Sequence, residues 1–224
     1  EYMLVRENSN NQLLLLGKNN NTPIWNASLG NTCSSDYCAK LAISADGKYV
    51  AAVTKTGSSS TLFFFSTANN TPLWNYTGLS WQNDNNGVAL SANGSYIAVR
   101  AGSYAYLFHK SDNSYLWKSA SLSGACPYSA RIDISGDGRF ISSCKDGEKI
   151  VYFSRDSSTP LWTYNIGYTI HTFDMSLDGK YIAATASEDD IKRLYLLDDS
   201  GTKLWHDDYS ADNGPRSVSI SADG

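Results

Sequence analysis

Apolar and polar residues alternate in short segments along the whole chain, and turns rich in Asn, Asp, Gly, Ser and Thr separate these segments. Residues 48–53 and 62–65 are representative segments. Alternation with a period of two is typical of β-strands, whereas an amphipathic helix repeats its apolar positions every 3.6 residues. No segment follows the helical period convincingly. The pattern therefore predicts an all-β protein with almost no helix.

Two sequence markers repeat with a period of about 44 residues. The first is a Ser-x-Asp/Asn-Gly turn, whose serines are 47, 44, 41 and 45 residues apart. The second is an aliphatic residue followed by Trp, with Trp spacings of 49, 43, 45 and 43. Asp-Gly or Asn-Gly between apolar segments predicts a β-hairpin, because Gly and Asn tolerate positive φ. The turns begin at Ser44, Ser91, Ser135, Ser176 and Ser221, and the tryptophans are Trp25, Trp74, Trp117, Trp162 and Trp205.

Each period contains four predicted strands, which we call A to D, and this is the signature of a β-propeller blade. The turn joins A to B, C is an aromatic and aliphatic run, and D carries the Trp, which we expect to wedge between blades. The Ser-x-Asp-Gly-Lys-Tyr-Ile-Ala segments resemble WD40-like and TolB-like surface propellers. The Thr-Pro-Leu-Trp segments resemble quinoprotein-like propellers with PQQ repeats. The resemblance implies a fold more than a function, because such repeats are scaffolds in unrelated proteins.

The two ends of the chain each carry part of one blade. Residues 217–224 match strand A and its turn, and residues 1–29 match strands B to D. We expect these parts to pair and close a single five-bladed domain, with burial of Val218 and Ile220 contributing roughly 1.5 to 3 kcal/mol each. Alternatively, the strand is donated to a neighbouring molecule and builds a filament. The predicted blades are 1–29 with 217–224, 30–78, 79–121, 122–167 and 168–216.

Composition and charge exclude several classes of function. Hydrophobic residues make up 42% and charged residues 18%, so the chain can bury a large core. The net charge of −4 lacks the basic excess that binding to phosphates or to an anionic membrane requires. The longest apolar runs, such as 13–16, are far shorter than a membrane span. We therefore expect neither a nucleic-acid partner nor a transmembrane segment.

The four cysteines of the chain allow a prediction of the cellular compartment in which the protein resides. Cys33 and Cys38 lie in one D–A loop, and Cys126 and Cys144 flank one A–B hairpin. We predict these two disulfides in preference to free thiols, and either disulfide would require an oxidising compartment. The spacing does not match a zinc site, and the three histidines fall in different strands, so we expect no metal.

Five N-glycosylation sequons fall on A–B turns, C–D turns or strand D. The composition alone predicts a similar number, so their placement is more informative than their count. Glycans there would leave the face formed by the D–A and B–C loops bare. With low Lys and high Asn, Ser, Thr and Tyr contents, this favours an extracellular or cell-surface protein. The sequon residues are Asn20, Asn26, Asn69, Asn75 and Asn93.

Every D–A loop carries an aromatic residue at the face where propellers usually bind ligands. With polar neighbours such as His171, these rings can stack on sugars or hold a loop of a partner protein. Alternatively, they cap the blade cores. Trp81 lies outside the repeat register. The aromatic residues are Tyr37, Trp81, Tyr128, Tyr168 and Tyr209.

Four charged residues on the strands A are predicted to line the central channel, and they are Lys40, Arg131, Asp133 and Asp174. Asp133 and Asp174, with Arg131 and His171, form the one constellation compatible with glycoside hydrolysis. The strands A carry no third carboxylate, however, and the repeats are nearly alike. The alternative interpretation is that these residues are solvated side chains of the channel. No cofactor is expected, because the quinoprotein dehydrogenases that this repeat resembles have eight blades and vicinal cysteines.

The sequence thus favours a non-enzymatic, secreted or surface-displayed five-bladed propeller that acts as a structural or interaction module. Its expected partners are other proteins or copies of itself, joined by strand donation. A second hypothesis is a lectin-like carbohydrate binder that uses the loop aromatics. A third is a glycoside hydrolase that uses the inner carboxylates.

Overall fold

The computed structural model describes residues 1–7, 12–30, 39–56, 59–80, 86–123, 132–188, 191–210 and 214–224. These residues form β-strands and no helix, as the alternating pattern predicts. In chain order the strands are β1 (Tyr2–Glu7), β2 (Gln12–Gly17), β3 (Pro23–Ser28), β4 (Ala39–Ile43), β5 (Tyr49–Thr56), β6 (Ser59–Ser66), β7 (Pro72–Ser80), β8 (Asn86–Leu90), β9 (Tyr96–Ala101), β10 (Tyr104–His109), β11 (Tyr115–Lys118), β12 (Ile132–Ile134), β13 (Phe140–Lys145), β14 (Lys149–Ser154), β15 (Pro160–Asn165), β16 (Thr169–Met175), β17 (Tyr181–Glu188), β18 (Ile191–Asp198) and β19 (Lys203–Ser210).

The strands form five antiparallel sheets, each built from consecutive strands. Blade 1 contains β1 to β3, and blades 2 to 5 contain β4–β7, β8–β11, β12–β15 and β16–β19. The first strands of blades 2 to 5 lie side by side, with β4 against β8, β8 against β12 and β12 against β16. This is the arrangement of propeller blades around an axis. The predicted all-β architecture of repeated antiparallel blades is confirmed.

A β-bulge occurs at the same place in each sheet, one residue before the tryptophan of the outer strand. In blade 1, Leu15 pairs with Trp25 and Leu16 with Pro23, so Ile24 is the extra residue. The bulged aliphatic side chain is exposed in every blade, because the extra residue turns it away from the ladder. These exposed residues are Ile24, Leu73, Leu116, Leu161 and Leu204.

The apolar core lies between the blades, because both faces of each sheet carry apolar residues. Between blades 1 and 2 the core contains Leu15, Trp25 and Phe65, all buried. Burying a side chain of this size contributes roughly 1.5 to 3 kcal/mol. The next three cores are built around Phe64 and Phe108, Leu107 and Phe153, and Tyr152 and Leu197.

An aromatic residue at the start of each strand B packs over the turn glycine of the following blade. Gly138 has φ 72°, and a Cβ there would lie 2.4 Å from Cδ2 of Tyr96. Only glycine therefore fits both the left-handed turn and the aromatic ring. The other contacts of this kind are Tyr2 on Gly47, Tyr49 on Gly94, Phe140 on Gly179 and Tyr181 on Gly224.

The Ser-x-Asp-Gly turn is closed by side chains that satisfy its backbone groups. Ser176 Oγ accepts a hydrogen bond from Tyr181 N at 3.0 Å and donates one to Asp178 Oδ1 at 2.7 Å. Asp178 Oδ1 also accepts a hydrogen bond from Lys180 N at 3.0 Å. The backbone N–H of Lys180 and then the Ser176 hydroxyl hold the pKa of Asp178 below its ordinary value, because they stabilise the charged carboxylate.

No ladder joins the two predicted parts of blade 1 among the described residues. Within the described residues, β1 pairs only with β2 and lies beside β4, while residues 217–224 form no ladder with β1. Instead, the C-terminal segment lies beside blade 5, where Val218 N donates to Thr172 Oγ1 and Asp178 N donates to Ala222 O. Closure of the ring by strand pairing stays a prediction.

Gly138 and Gly167 have similar positive φ, but only Gly138 contacts the neighbouring blade. Replacing each with Ala therefore distinguishes the cost of backbone strain from the cost of disturbing the contact between blades. Gly167 has φ 76° and no atom within 4 Å of a Cβ, so Gly167→Ala should cost only the strain of about 1–2 kcal/mol. Gly138→Ala also drives a methyl group into Tyr96, so we expect it to lower the free energy of unfolding by about 1–3 kcal/mol more. Equilibrium urea unfolding measures both. Equal losses would mean that the ring does not pack closely on Gly138.

The pKa of Asp178 predicts an acid-dependent contribution to stability. Since this pKa is depressed in the folded state, the contribution is complete above the unfolded value of about 3.9 and is lost as the pH falls through the folded value. Asp178→Asn keeps the acceptor oxygen, as Asn93 does in blade 3, but removes the charge. We expect the variant to be less stable than the native chain at neutral pH and this difference to vanish in acid. A difference that is the same at every pH would contradict this role.

Candidate functional site

The tryptophan of each outer strand makes the joint to the next blade. Trp25 Nε1 donates a hydrogen bond of 2.9 Å to Thr67 O, the first carbonyl after strand C of blade 2. The Trp25 ring also stacks on Phe65, with ring centroids 5.8 Å apart. The predicted wedge between blades is thus confirmed for four of the five tryptophans, whereas Trp205 has no such contact among the described residues. The matching bonds of later blades run from Trp74 to Lys110 O, from Trp117 to Arg155 O and from Trp162 to Asp199 O.

Two further hydrogen bonds recur at the joints. In the C–D turn, Asn70 Nδ2 donates to Asn26 O at 2.8 Å, and Asn113 Nδ2 donates to Asn75 O at 3.2 Å. The A–B turns are also joined to each other through their backbones, and each turn donates to the second residue of the next turn. These bonds run from Asp46 N to Ala92 O, from Ala92 N to Gly136 O, from Gly136 N to Leu177 O and from Asp178 N to Ala222 O.

Blade 5 carries the Trp that corresponds to those whose indoles donate the hydrogen bond in the other joints. In the described part of the chain, no further blade packs against this Trp. Trp205 lies opposite Leu196, the position that Trp25 occupies opposite Leu15. Its side chain is 46% exposed, whereas Trp25 is 9% exposed. Leu194 and Leu196 on the same face are only half-buried. We call Trp205, this face and residues 217–224 the tail edge.

Blade 1 carries the counterparts of the residues that, in blades 2 to 5, contact the Trp of the preceding blade and accept its hydrogen bond. Met3 is 62% exposed, although Val50 at the matching position of blade 2 is fully buried. Beside Met3 lies an open pocket of about 130 Å³, which Glu1, Tyr2, Gly17 and Lys18 complete. Lys18 follows β2 as Thr67 follows β6, so its carbonyl occupies the acceptor position of a joint. We call this pocket and β1 the head edge.

Asp174, a predicted channel residue, holds the C-terminal segment of the tail edge. Its Oδ2 accepts hydrogen bonds of 2.9 Å from Ser219 Oγ and from Ile220 N. The carboxylate therefore anchors residues 217–220 against blade 5, in the place where strand A of a following blade would lie. Lys40 and Asp133 are half-buried on β4 and β12, and Arg131 lies outside the described residues.

Only part of the predicted aromatic ring falls within the described residues, since Tyr37, Trp81 and Tyr128 lie outside them. Tyr168 is half-buried under the Arg193 guanidinium, whose carbon lies 4.1 Å from the ring centroid. A hydrogen bond to Asp207 raises the pKa of Tyr209.

His171 lies next to the tail edge. It forms a hydrogen bond with Ser187 Oγ. Burial, together with the nearby cations Arg216 and Lys192, lowers the pKa of His171, because each disfavours the charged imidazolium.

The described residues include all five sequon asparagines and one of the four cysteines. All five sequon asparagines are exposed, on the turns and outer strands where the sequence places them. Cys144 on β13 is buried. Cys33, Cys38 and Cys126 lie outside the described residues, so both predicted pairings stay predictions.

Arg100 is a buried residue that sequence reasoning missed. It is fully buried on β9, and its guanidinium donates to Gly102 O at 2.9 Å, Ser143 Oγ at 3.2 Å and Cys144 O at 2.5 Å. Burial lowers the pKa of Arg100 to about 10, still well above neutral pH. The side chain thus links blades 3 and 4. A charged residue within the apolar run of β9 is the one signal in the sequence.

Neither a metal cluster nor a membrane-spanning helix is found among the residues that the structure describes. No group of three or more His, Cys, Asp and Glu side chains there is placed to hold a metal ion. No helix of the necessary length and apolarity occurs in that part of the chain.

Comparison with solved structures supports the fold. No family model and no curated protein matches the sequence. Hydrazine synthase of Kuenenia stuttgartiensis is similar over 81% of this chain and 52% of its own, with 15% identity and a TM-score of 0.61. A functionally unknown protein from Desulfotomaculum acetoxidans matches over 92% and 66%, with 17% identity and a TM-score of 0.66. The β-propeller domain of Myceliophteria thermophila Cps50 (Swd1) matches over 80% and 57%, with 11% identity and a TM-score of 0.61. The chain thus spans about half to two thirds of these chains.

Proposed function

We propose that the protein is a non-enzymatic β-propeller that acts as a structural and protein-interaction module. The observation that carries the proposal is blade 1, in which β1 is an edge strand of a three-stranded sheet beside partly exposed apolar residues. An edge strand is a template for pairing with a further strand. The binding mode is therefore the addition of an extended segment to β1.

The register of the intact blades defines the segment that fits. In blade 2, Ile43 pairs with Val50 and Leu41 with Ala52. In the same register, Ile220 would pair with Met3, and Val218 would pair with Val5. A segment with the sequence of residues 217–220 thus places aliphatic side chains on the open face of blade 1. It comes either from the chain itself, which closes a five-bladed ring, or from another molecule.

Two observations favour a binding role over glycoside hydrolysis. The Asp174 carboxylate already accepts hydrogen bonds from Ser219 and Ile220, so it serves the backbone of the tail edge. A general acid or base must instead face the substrate. Asp133 remains as one inner carboxylate, whereas glycosidases use a pair.

We further propose that the protein works outside the cell. Its support is the exposure of all five sequon asparagines, together with the two disulfides that the sequence predicts, since disulfides persist in oxidising compartments. Glycans on the C–D turns, on the outer strands and on the A–B turn of blade 3 would leave β1 accessible.

The edge-strand proposal predicts binding of a peptide to the full chain. A fluorescent peptide with the sequence of residues 215–224 should bind and raise its fluorescence anisotropy, because it supplies the missing strand of blade 1. A control peptide with Val218→Asp and Ile220→Asp should bind at least about tenfold more weakly, since it exposes charge to the apolar face. Equal binding of both peptides, or none, would show that β1 is not an accessible binding edge.

The extracellular proposal predicts covalent modification of the native protein. Its intact mass should fall after enzymatic removal of N-glycans, and it should rise by about 2 Da per disulfide on reduction, because each sulfur gains a hydrogen. Mass spectrometry of protein from its native source measures both changes. A mass equal to that of the bare, reduced chain would reject the extracellular assignment and leave the edge-strand proposal standing.

A further inference from the structure

We infer that a group of tyrosines on the outer strands, where blade 2 meets blade 3, binds an acidic saccharide. We call Tyr76, Tyr104, Tyr115 and Lys118 the tyrosine cluster. Tyr76 belongs to β7 of blade 2, and the other three belong to β10 and β11 of blade 3. The cluster contains no residue of β1 or of the tail edge. The inference therefore goes beyond the proposed function, because it assigns a second site with a different kind of ligand.

Tyr115 is the exposed member of the cluster, and its ring is held in a fixed position. The centroid of this ring lies 6.1 Å from that of Tyr76, 5.7 Å from that of Tyr106 and 6.2 Å from that of Phe108. The planes of these three rings cross its own plane at 85°, 68° and 89°, which is the favourable edge-to-face geometry. Nevertheless, 42% of Tyr115 is exposed. A ring that is fixed by its neighbours and left exposed is available to a ligand.

The hydroxyl groups of the cluster lie near one another. Burial, and after it the phenols of Tyr76, Tyr104 and Tyr115, raise the pKa of Tyr106 to about 12. Burial, and after it the phenol of Tyr115, raise the pKa of Tyr76. A raised pKa keeps the Tyr76 phenol protonated at neutral pH, so its hydroxyl can donate a hydrogen bond. Tyr76 and Tyr104 are half-buried. The cluster thus presents polar hydroxyl groups beside one exposed aromatic ring.

Lys118 gives the cluster a positive charge. Its Nζ lies 3.8 Å from the ring centroid of Tyr104 and 5.5 Å from that of Tyr106, and the residue is exposed. Lys118 forms no ion pair with a carboxylate of the described residues. Strands β7, β10 and β11 contain no Asp or Glu, although the chain has a net charge of −4. Charge complementarity therefore favours a ligand with an anionic group.

The combination of ring, hydroxyls and ammonium fits an acidic saccharide. The exposed ring can pack on the C–H face of a sugar, the tyrosine hydroxyls can bond to sugar hydroxyls, and the ammonium can bind a carboxylate or sulfate group. An extended peptide fits less well. β11 has only four residues, and a bulge interrupts its pairing with β10 between Leu107 and Phe108, so its edge is a poor template for a further strand.

The cluster is not part of the repeat. Tyr115 pairs with Phe108, and the residues at the corresponding positions of the other outer strands are Pro23, Pro72, Pro160 and Lys203. Lys118 pairs with Tyr106, and the corresponding residues are Asn26, Asn75, Thr163 and His206. The blade therefore does not require a Tyr at one of these positions and a Lys at the other. A local departure from an otherwise regular pattern is a candidate for a function.

A glycan on the sequon residue Asn75 would not occupy the cluster. Asn75 precedes Tyr76 on β7, and successive side chains of a strand point to opposite faces. Asn75 pairs with Phe63, which packs towards blade 1, whereas Tyr76 pairs with Leu62 in the core towards blade 3. The saccharide that the cluster binds is therefore part of another molecule.

The test is direct binding of saccharides to the full chain after enzymatic removal of N-glycans. A glycan array presents uronic, sialic and sulfated oligosaccharides, each beside a neutral oligosaccharide of the same backbone. The acidic form that binds is then titrated against its neutral counterpart by isothermal calorimetry. We expect the acidic form to bind at least about tenfold more tightly, because it adds a charge-assisted contact with Lys118.

Two variants separate the ring from the charge. Tyr115→Ala should weaken binding of the acidic form at least about tenfold. Lys118→Gln should reduce the affinity for the acidic form to that for the neutral form, whereas Lys118→Arg should keep the preference, since it keeps the charge. Leu116→Ala is the matched control, because Leu116 is the bulged residue beside Tyr115 and is 54% exposed. Circular dichroism verifies folding, and Lys118→Gln, at an exposed position, still tests the cluster if Tyr115→Ala does not fold.

Three outcomes would overturn the inference. The first is that no acidic oligosaccharide of the array binds, and a Tyr115-dependent binding of a glutamate octapeptide in that case would indicate an acidic protein partner instead. The second is equal affinity for the acidic and neutral forms. The third is binding that neither Tyr115→Ala nor Lys118→Gln weakens, which would show that the site lies elsewhere. Binding of the 215–224 peptide in any of these cases would leave the edge-strand function intact, because β1 is not part of the cluster.

Discussion

Each sheet of this protein is apolar on both faces, so a neighbouring blade on each face stabilises it by burying those residues. This constraint explains why the cores lie between blades and why the same contacts recur at every joint. Blades 2 to 4 have a neighbouring blade on both faces. Blades 1 and 5 each have one on a single face within the described residues, which leaves Met3 and Trp205 exposed. The proposed function follows from this imbalance, because burial of apolar surface is the main favourable term in association.

Single residues of the repeat contribute both to their own hairpin and to the joint with the neighbouring blade. The turn glycine supplies positive φ to its own hairpin and makes room for the aromatic ring of the preceding blade, as Gly138 does for Tyr96. The turn also donates a backbone hydrogen bond to the next turn. The bulge before each Trp turns one aliphatic side chain outwards, and in blades 1 to 4 the indole that follows it contacts the next blade.

Sequence reasoning predicted much of the fold and less of the site. Strand order, the turn chemistry and the wedge role of the Trp residues follow from local patterns, and the structure confirms them, the wedge role for all but Trp205. The anchoring role of Asp174 did not follow, because it depends on a contact with residues about 45 positions away. Arg100 was missed for the same reason, since its acceptors Ser143 and Cys144 belong to the next blade.

The sequence by itself determined that this chain forms β-hairpins with a repeated joint, because turn residues, alternation and period are local properties. It did not distinguish Trp205 from the other four tryptophans, since all five follow the same motif. Only the tertiary structure decided which indole stays exposed and where an open acceptor lies, because burial depends on which blade stands next to another. The difference between a joint and an open edge is therefore a property of the assembled blades and not of the repeat.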